Sequence, residues 1–250
     1  MEAWHIPIIL LAGVFAGIVN TLAGGGSLLT LPLLILLLGL PPTVANGTNR
    51  VAVFIQCVFA YLSFEKRGIR QNRTSWILAA PSILGSILGA YLALLIPGEV
   101  FNRILAVLMV VMVGFIVWKP MPSQKKPLAL HGLRKMAALF VFFWIGVFGG
   151  LFQVGTGFFI TIALPLLCGM DLVKTASVKV FVIGIYITFS LLIFAWNGEV
   201  NWLIGLTLAL GNGLGGWVGS KIAVEKGEKP IRIVLLASVI ALAIKLFFFR

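Results

Sequence analysis

Residues 13–34 read GVFAGIVNTLAGGGSLLTLPLL, and residues 146–167 read GVFGGLFQVGTGFFITIALPLL. Laid over one another at an offset of 133 (13 on 146), they place Gly13 on Gly146, Val14 on Val147 and Phe15 on Phe148. Gly17 then meets Gly150, Gly24 meets Gly157, Pro32 meets Pro165, and Asn20 falls on Gln153. A four-residue deletion puts GTNRV (47–51) over ASVKV (176–180), so Thr48 lies on Ser177 and Arg50 on Lys179. Trp76/Trp202, Gly85/Gly211, Gly89/Gly215 and Arg103/Arg232 continue the correspondence. Single Gly or Leu coincidences are common in apolar sequence, but four stretches in the same order are not. Two copies of one unit are expected.

Composition says what kind of unit. Of 250 residues, 60% are hydrophobic and 10% charged, with 19 Lys+Arg against 7 Asp+Glu for a net charge of +12. A soluble domain is about 45–50% apolar and about 25% charged. This chain could not coat a water-facing surface, which excludes a soluble enzyme, and disorder needs the opposite composition. Broken at Gly, Pro and polar clusters, the uncharged runs give ten apolar segments: 6–23, 27–40, 51–64, 74–96, 104–118, 136–155, 158–169, 180–196, 202–221 and 231–249. A spanning helix needs roughly 20 such residues, so the segments use nearly the whole chain. The fold class is an all-α polytopic membrane protein. Residues 27–40 would make only roughly 21 Å of helix at about 1.5 Å per residue, and 158–169 is as short. Each follows a glycine-containing stretch, so broken or re-entrant helices are expected there. Met1-Glu2 carries no basic n-region, so the first run reads as a membrane segment and not a cleaved signal.

The basic residues lie in short gaps, where they orient a chain in a membrane and do not mark nucleic-acid binding. Gap 65–73 holds Lys66, Arg67, Arg70 and Arg73, and gap 119–135 holds Lys119, Lys125, Lys126, Arg134 and Lys135. Gap 222–230 holds Lys226 and Lys229, whereas 97–103 has only Arg103 and 197–201 has no basic residue. The first three gaps are placed inside and the last two outside, with both termini outside. Five segments per copy is an odd number, so the second copy enters from the opposite side. The expected organisation is a repeat at 1–118, a cytoplasmic linker at 119–135 and a second, inverted repeat at 136–250. Inverted repeats with interrupted segments at matching places are the architecture of secondary transporters, with substrate at the repeat interface.

With NTLAGGGSLLTLP (20–32) followed by VANGTNRV (44–51), the chain resembles the TauE/SafE, or sulfite exporter, family of membrane transporters over essentially its whole length. The resemblance implies a secondary transporter, in the cell (inner) membrane, of small sulfur-containing anions: sulfite, sulfonates, thiosulfate or related organic anions, moved by alternating access. The second copy departs from the glycine-rich form, reading Gly155-Thr156-Gly157-Phe158.

Gly24, Gly25 and Gly26 open the helix that starts near Ser27, and unbonded amides there form an anion site at the positive end of a helix dipole. Thr156 and Gly157 offer the same from the other half. Close packing through small residues is the competing role. It is preferred for the glycines spaced by four at 13/17, 85/89 and 211/215/219, and the anion role is preferred for Gly24–Gly26. Three consecutive glycines weaken a helix, and packing needs only one. Arg50 and Lys179, flanked by Asn49 and Ser177, sit at the starts of the segments after the breaks. Each either snorkels to the interface or faces an anion-holding cavity, because a charge facing lipid costs about 2.5–3.5 kcal/mol. Arg50 can grip an oxyanion through paired N–H donors. Asn49 and Gln56, seven apart, share a helix face with Thr48 nearby. Asn20 and Gln153 could bind substrate or satisfy freed backbone groups.

Other chemistries lack their parts. The acids Glu2, Glu65, Glu99, Asp171, Glu199, Glu225 and Glu228 all lie near segment ends, which leaves no mid-membrane carboxylate relay. There is no P-loop, HExxH or GxSxG. Cys57 and Cys168 stand alone in apolar runs and read as buried thiols. No catalytic residue, metal or cofactor is expected. The partners expected are a small anion and the lipid bilayer, with a homodimer as a candidate assembly. The alternative function is a passive anion pore or a non-transporting membrane partner whose glycines only pack helices.

Overall fold

The structure, a computed structural model, describes residues 4–70, 73–118 and 130–227 together with Pro230 and Ile233. The tenth expected segment (231–249), Ile233 apart, and residues 119–129 of the expected linker lie outside the described residues. Nine helices form among the described residues: α1 (His5–Leu22), α2 (Ser27–Pro32, running on as a π-helical turn Leu33–Leu37), α3 (Pro42–Lys66), α4 (Arg73–Leu95), α5 (Gly98–Trp118), α6 (Gly132–Leu151), α7 (Thr156–Cys168), α8 (Leu172–Trp196) and α9 (Trp202–Lys226).

Local chemistry accounts for their ends. Asp171 caps α8 by accepting from the Lys174 amide at 2.8 Å, and Asn201 caps α9 by accepting from the Ile204 amide at 3.2 Å; such caps satisfy otherwise orphaned amides. Pro42 starts α3, where no donor is needed. Within α2, Pro32 removes one amide and the ladder slips by a residue. The Leu38 amide then donates to the Leu33 carbonyl five residues back, at 3.3 Å.

Glycine and serine set which helices touch. On α9 the small residues Gly211, Gly215 and Gly219 face α1, where Leu10, Val14 and Ile18 meet them in that order. A Cβ on Gly211 would lie 3.0 Å from the Val14 amide nitrogen. Ser82 and Ser86 on α4 likewise meet Gly146 and Gly150 on α6, in rising order. Both pairs are therefore parallel, and the packing role expected for these glycines is what the structure shows. The opposite face of α9 exposes Leu203, Leu206, Leu210 and Leu214. That stripe suits lipid and not water.

The helix directions follow from contacts along each pair. Thr48, Gln56 and Ser63 of α3 meet Gly205, Gly216 and Ser220 of α9, so α3 also runs with α9. Trp76 packs on Phe181, and Ser86 donates to the Tyr186 carbonyl, so α4 runs with α8. Arg50 reaches Ser190 while Cys57 lies on Gly184, so α3 and α8 are antiparallel. The result is two three-helix groups of opposite direction: α1, α3 and α9 against α4, α6 and α8. Because α3 runs parallel to α1 and α8 to α6, the short α2 and α7 each carry the chain back toward the end where the preceding helix began. By length and composition α1, α4, α6 and α8 suffice to cross a membrane.

Two boundaries differ most from expectation. The segments placed at 51–64 and 180–196 begin instead at Pro42 and Leu172. Polar clusters at 46–50 and 175–179 read as membrane boundaries, but those side chains are buried, and Asn46, Thr48, Asn49, Arg50 and Lys179 find partners inside the protein.

Candidate anion-binding site at the facing breaks

The α1–α2 and α6–α7 breaks meet backbone to backbone: a Cβ on Gly157 would lie 2.8 Å from the Gly24 carbonyl oxygen. Both helices end the same way. The Val19 carbonyl accepts from the Ala23 and Gly24 amides at 2.7 and 3.1 Å, and the Phe148 carbonyl accepts from Phe152 and Gln153 at 2.9 and 3.4 Å. Each end then leaves carbonyls without a helical partner, and a cation from the other half of the chain takes them. Arg50 Nη1 donates to the Gly149 carbonyl at 3.3 Å and Nη2 to that of Gly150, while Asn46 Nδ2 donates to the Leu151 carbonyl at 2.9 Å. Lys179 Nζ donates to the Leu22 carbonyl at 3.4 Å. A positive group at a helix C-terminus is favourable because the dipole is negative there.

Arg50 is held on every side. Nη1 also donates to Ser190 Oγ at 2.8 Å and Nη2 to Asn46 Oδ1 at 3.4 Å, and the guanidinium sits 4.4 Å over the Phe194 ring. Arg50 and Lys179 are both 0% exposed, so neither snorkels to an interface. They also do not start their helices. Arg50 stands eight residues into α3 and Lys179 seven into α8, about 12 and 10 Å along antiparallel helices about 37 Å long at about 1.5 Å per residue. They approach the middle from opposite ends.

A polar network closes the first break. Asn20 Nδ2 donates to Gln56 Oε1, and Gln56 Nε2 to Thr21 Oγ1 at 2.9 Å. Asn49 Nδ2 donates to Ser27 Oγ at 3.1 Å and Asn49 Oδ1 accepts from Thr30 Oγ1 at 2.6 Å. Of the expected residues, Asn20 is thus brought onto Gln56 and Ser27 onto Asn49. The glycine triplet is a correction to the expectation that packing needs only one. Gly24 abuts Gly157, a Cβ on Gly25 would lie 2.6 Å from the Phe158 ring, and one on Gly26 would lie 2.6 Å from Asn20 Cβ. All three are required by close approach.

The family described as "Sulfite exporter TauE/SafE" matches residues 9–246. The chain belongs to the sulfite exporter TauE/SafE family. Among its TauE/SafE-like relatives, a "Probable membrane transporter protein ORF9" of Sinorhizobium sp is 33% identical over 251 residues, covering 98% of this chain and 93% of the relative. The "Probable membrane transporter protein YfcA" of Escherichia coli (strain K12) is 30% identical over 241 residues, 94% and 88% of the two chains. The "Probable membrane transporter protein YjnA" of Bacillus subtilis (strain 168) is 28% identical over 259 residues, 95% and 98% of the two. No solved structure matches. This TauE/SafE chain is accordingly a multi-pass membrane transporter.

Around the second break the fit is looser. Thr156 Oγ1 donates to the Gln153 carbonyl at 2.8 Å and Gly157 backs onto Gly24. Gln153 is 4% exposed, yet neither Oε1 nor Nε2 has a partner. Arg50 Nε is also buried without a hydrogen bond, and the buried Tyr186 hydroxyl bonds to Thr156. Ser177 is buried on α8. Thr48 is not brought to the breaks: its Oγ1 accepts from the Asn201 amide at 2.9 Å and ties the α8–α9 turn to α3. Sequence reading missed Asn46, Ser190 and Tyr186. Asn46 carried a signal, standing one turn before Arg50 on the same face; Ser190 and Tyr186, inside an apolar run, carried none.

An apolar cavity of about 510 Å³ between α6 and α7, lined by residues such as Phe140, Trp144, Phe148, Phe159 and Leu166, offers no polar group. It cannot hold an anion.

Proposed function

We propose that this TauE/SafE-family protein is a secondary transporter of small sulfur-containing anions, built from two inverted repeats and working by alternating access. One observation carries the reading. Arg50 and Lys179 are buried where the two breaks meet, and no Asp or Glu is fully buried among the described residues, Glu199 at the α8–α9 turn being half-buried. The C-termini of α1 and α6 contribute about −0.5 each, and the N-termini of α2 and α7 about +0.5 each. Two basic side chains therefore stand against dipoles that cancel, which leaves the middle of the protein net positive. Buried charge of one sign is unfavourable alone and favours a ligand of the other.

The parallel pairs α1/α9 and α4/α6, and the exchange of cations between halves, support the inverted-repeat reading, in which α1, α2, α3 and α4 correspond to α6, α7, α8 and α9. The family description supports sulfite-like cargo. We place the protein in the inner membrane with both termini outside, from the basic gaps. Homodimers are compatible with this arrangement.

A thermal-shift screen on the purified protein tests the reading. Sulfite, thiosulfate and sulfonates should raise the melting temperature more than carboxylates or a change of cation, since a ligand at 100 times its Kd adds about 2.7 kcal/mol to stability. No rise with any anion counts against it.

A further inference from the structure

The two breaks are alike in backbone and unlike in side-chain satisfaction. At the α1–α2 break the polar side chains pair off in two groups, Asn20 and Thr21 on Gln56, and Ser27 and Thr30 on Asn49. At the α6–α7 break, Gln153 occupies the place corresponding to Asn20 but has no counterpart of Gln56, because α8 carries Ile185 there. Its side-chain oxygen and nitrogen are both buried and unpartnered. Its φ of 63° is the one positive value at a non-glycine among the described residues, a conformation that is kept where the surroundings or a ligand demand it.

Two further groups gather at the same place. The Tyr186 hydroxyl lies against the last turn of α6, 2.7 Å from where a Cβ on Gly149 would be, and bonds to Thr156. Arg50, whose terminal nitrogens hold the Gly149 and Gly150 carbonyls of that turn, leaves Nε–H without an acceptor. Buried polar groups are nearly always paired, and three unpaired atoms around one helix end, Gln153 Oε1 and Nε2 and Arg50 Nε, describe a complementary ligand.

We propose that the substrate is held at the α6–α7 break, by Gln153, Tyr186 and Arg50 Nε, and that it is an anion which also carries a hydrogen-bond donor, such as a hydroxy- or amino-substituted sulfonate. This rests on the anion-transport reading. Arg50 Nε–H and the two Gln153 Nε2 hydrogens call for acceptor oxygens. Gln153 Oε1 accepts only, so a fully deprotonated anion without a donor leaves it orphaned. Thr156 spends its own proton on the Gln153 carbonyl, so the Tyr186 hydroxyl donates to Thr156 and its oxygen is left to accept from a ligand. The glycine triplet of the first half is then packing, and its polar network is the rigid wall opposite.

Calorimetric titration of the purified full chain with 2-hydroxyethanesulfonate and with ethanesulfonate, alike but for one hydroxyl, tests this. The hydroxylated probe should bind about tenfold tighter or better, since a site built to bond a hydroxyl rejects the analogue lacking it. Gln153→Leu should bring the ratio close to one, mainly by weakening the hydroxylated probe. Tyr186→Phe, which deletes one oxygen and keeps the ring, should weaken that probe severalfold if Gln153→Leu does not fold. Equal affinity of the wild type for both sulfonates, or an unchanged ratio in both variants, overturns the inference and leaves anion transport standing. Absence of binding by these and by sulfite and thiosulfate overturns both.

Discussion

Arg50 joins four acceptors on three helices and stacks on Phe194. Lys179, its counterpart, makes one bond, to the Leu22 carbonyl at 3.4 Å. The two cations therefore differ in what they hold up. Arg50→Met strands the Gly149 and Gly150 carbonyls in a dry interior and should cost about 2–4 kcal/mol, as for lost bonds to a charged group. Lys179→Met should cost about 1 kcal/mol or less. Unfolding in mixed micelles measures both, and a larger loss for Lys179→Met would contradict the assignment. That these residues matter was visible in the sequence, because a cation between apolar runs demands a reason. What they hold was not visible. The carbonyls taken by Arg50 lie 99 and 100 residues away, and an unbonded backbone oxygen leaves no mark in a sequence.

At the scale of helices, spacing and small side chains carry the architecture. The parallel α1/α9 and α4/α6 pairs rest on small residues set four apart, and that role was legible because the period of a helix puts such residues on one stripe. The breaks were legible too, as glycine ahead of a helix too short to cross. Two things misled. The triplet Gly24–Gly26 looked excessive for packing, yet each glycine meets a different neighbour. Asn49 and Arg50 looked like a membrane boundary, yet they lie two turns inside α3, since polarity marks a boundary only when its partners are water. The facing breaks make a sharp prediction. Gly157→Ala drives a Cβ into the Gly24 backbone and should cost about 1–3 kcal/mol, as overpacking does. Gly98→Ala, where a Cβ would meet Pro42 at 3.5 Å, should be tolerated within about 0.5 kcal/mol. Equal effects in a chemical-denaturation assay would mean that the breaks do not touch.

Across the whole molecule, two groups of three helices run in opposite directions and place a positive interior between them. The relative directions follow from residue contacts; the proposed sidedness rests on the basic gaps. Arg70 and Asn197 are exposed at opposite ends, while Cys57 and Cys168 are buried. An impermeant thiol reagent should therefore label Asn197→Cys from outside and Arg70→Cys only after the membrane is opened. The reverse pattern would invert the orientation. The central claim is that the positive centre takes up an anion from one side and delivers it to the other. Counterflow in proteoliposomes measures this directly: vesicles loaded with unlabelled sulfite or a sulfonate are diluted into a trace of the same labelled anion. The account predicts that internal anion accelerates labelled uptake into a transient overshoot. Uptake that is indifferent to the internal anion, or absent for every sulfur anion, would contradict it.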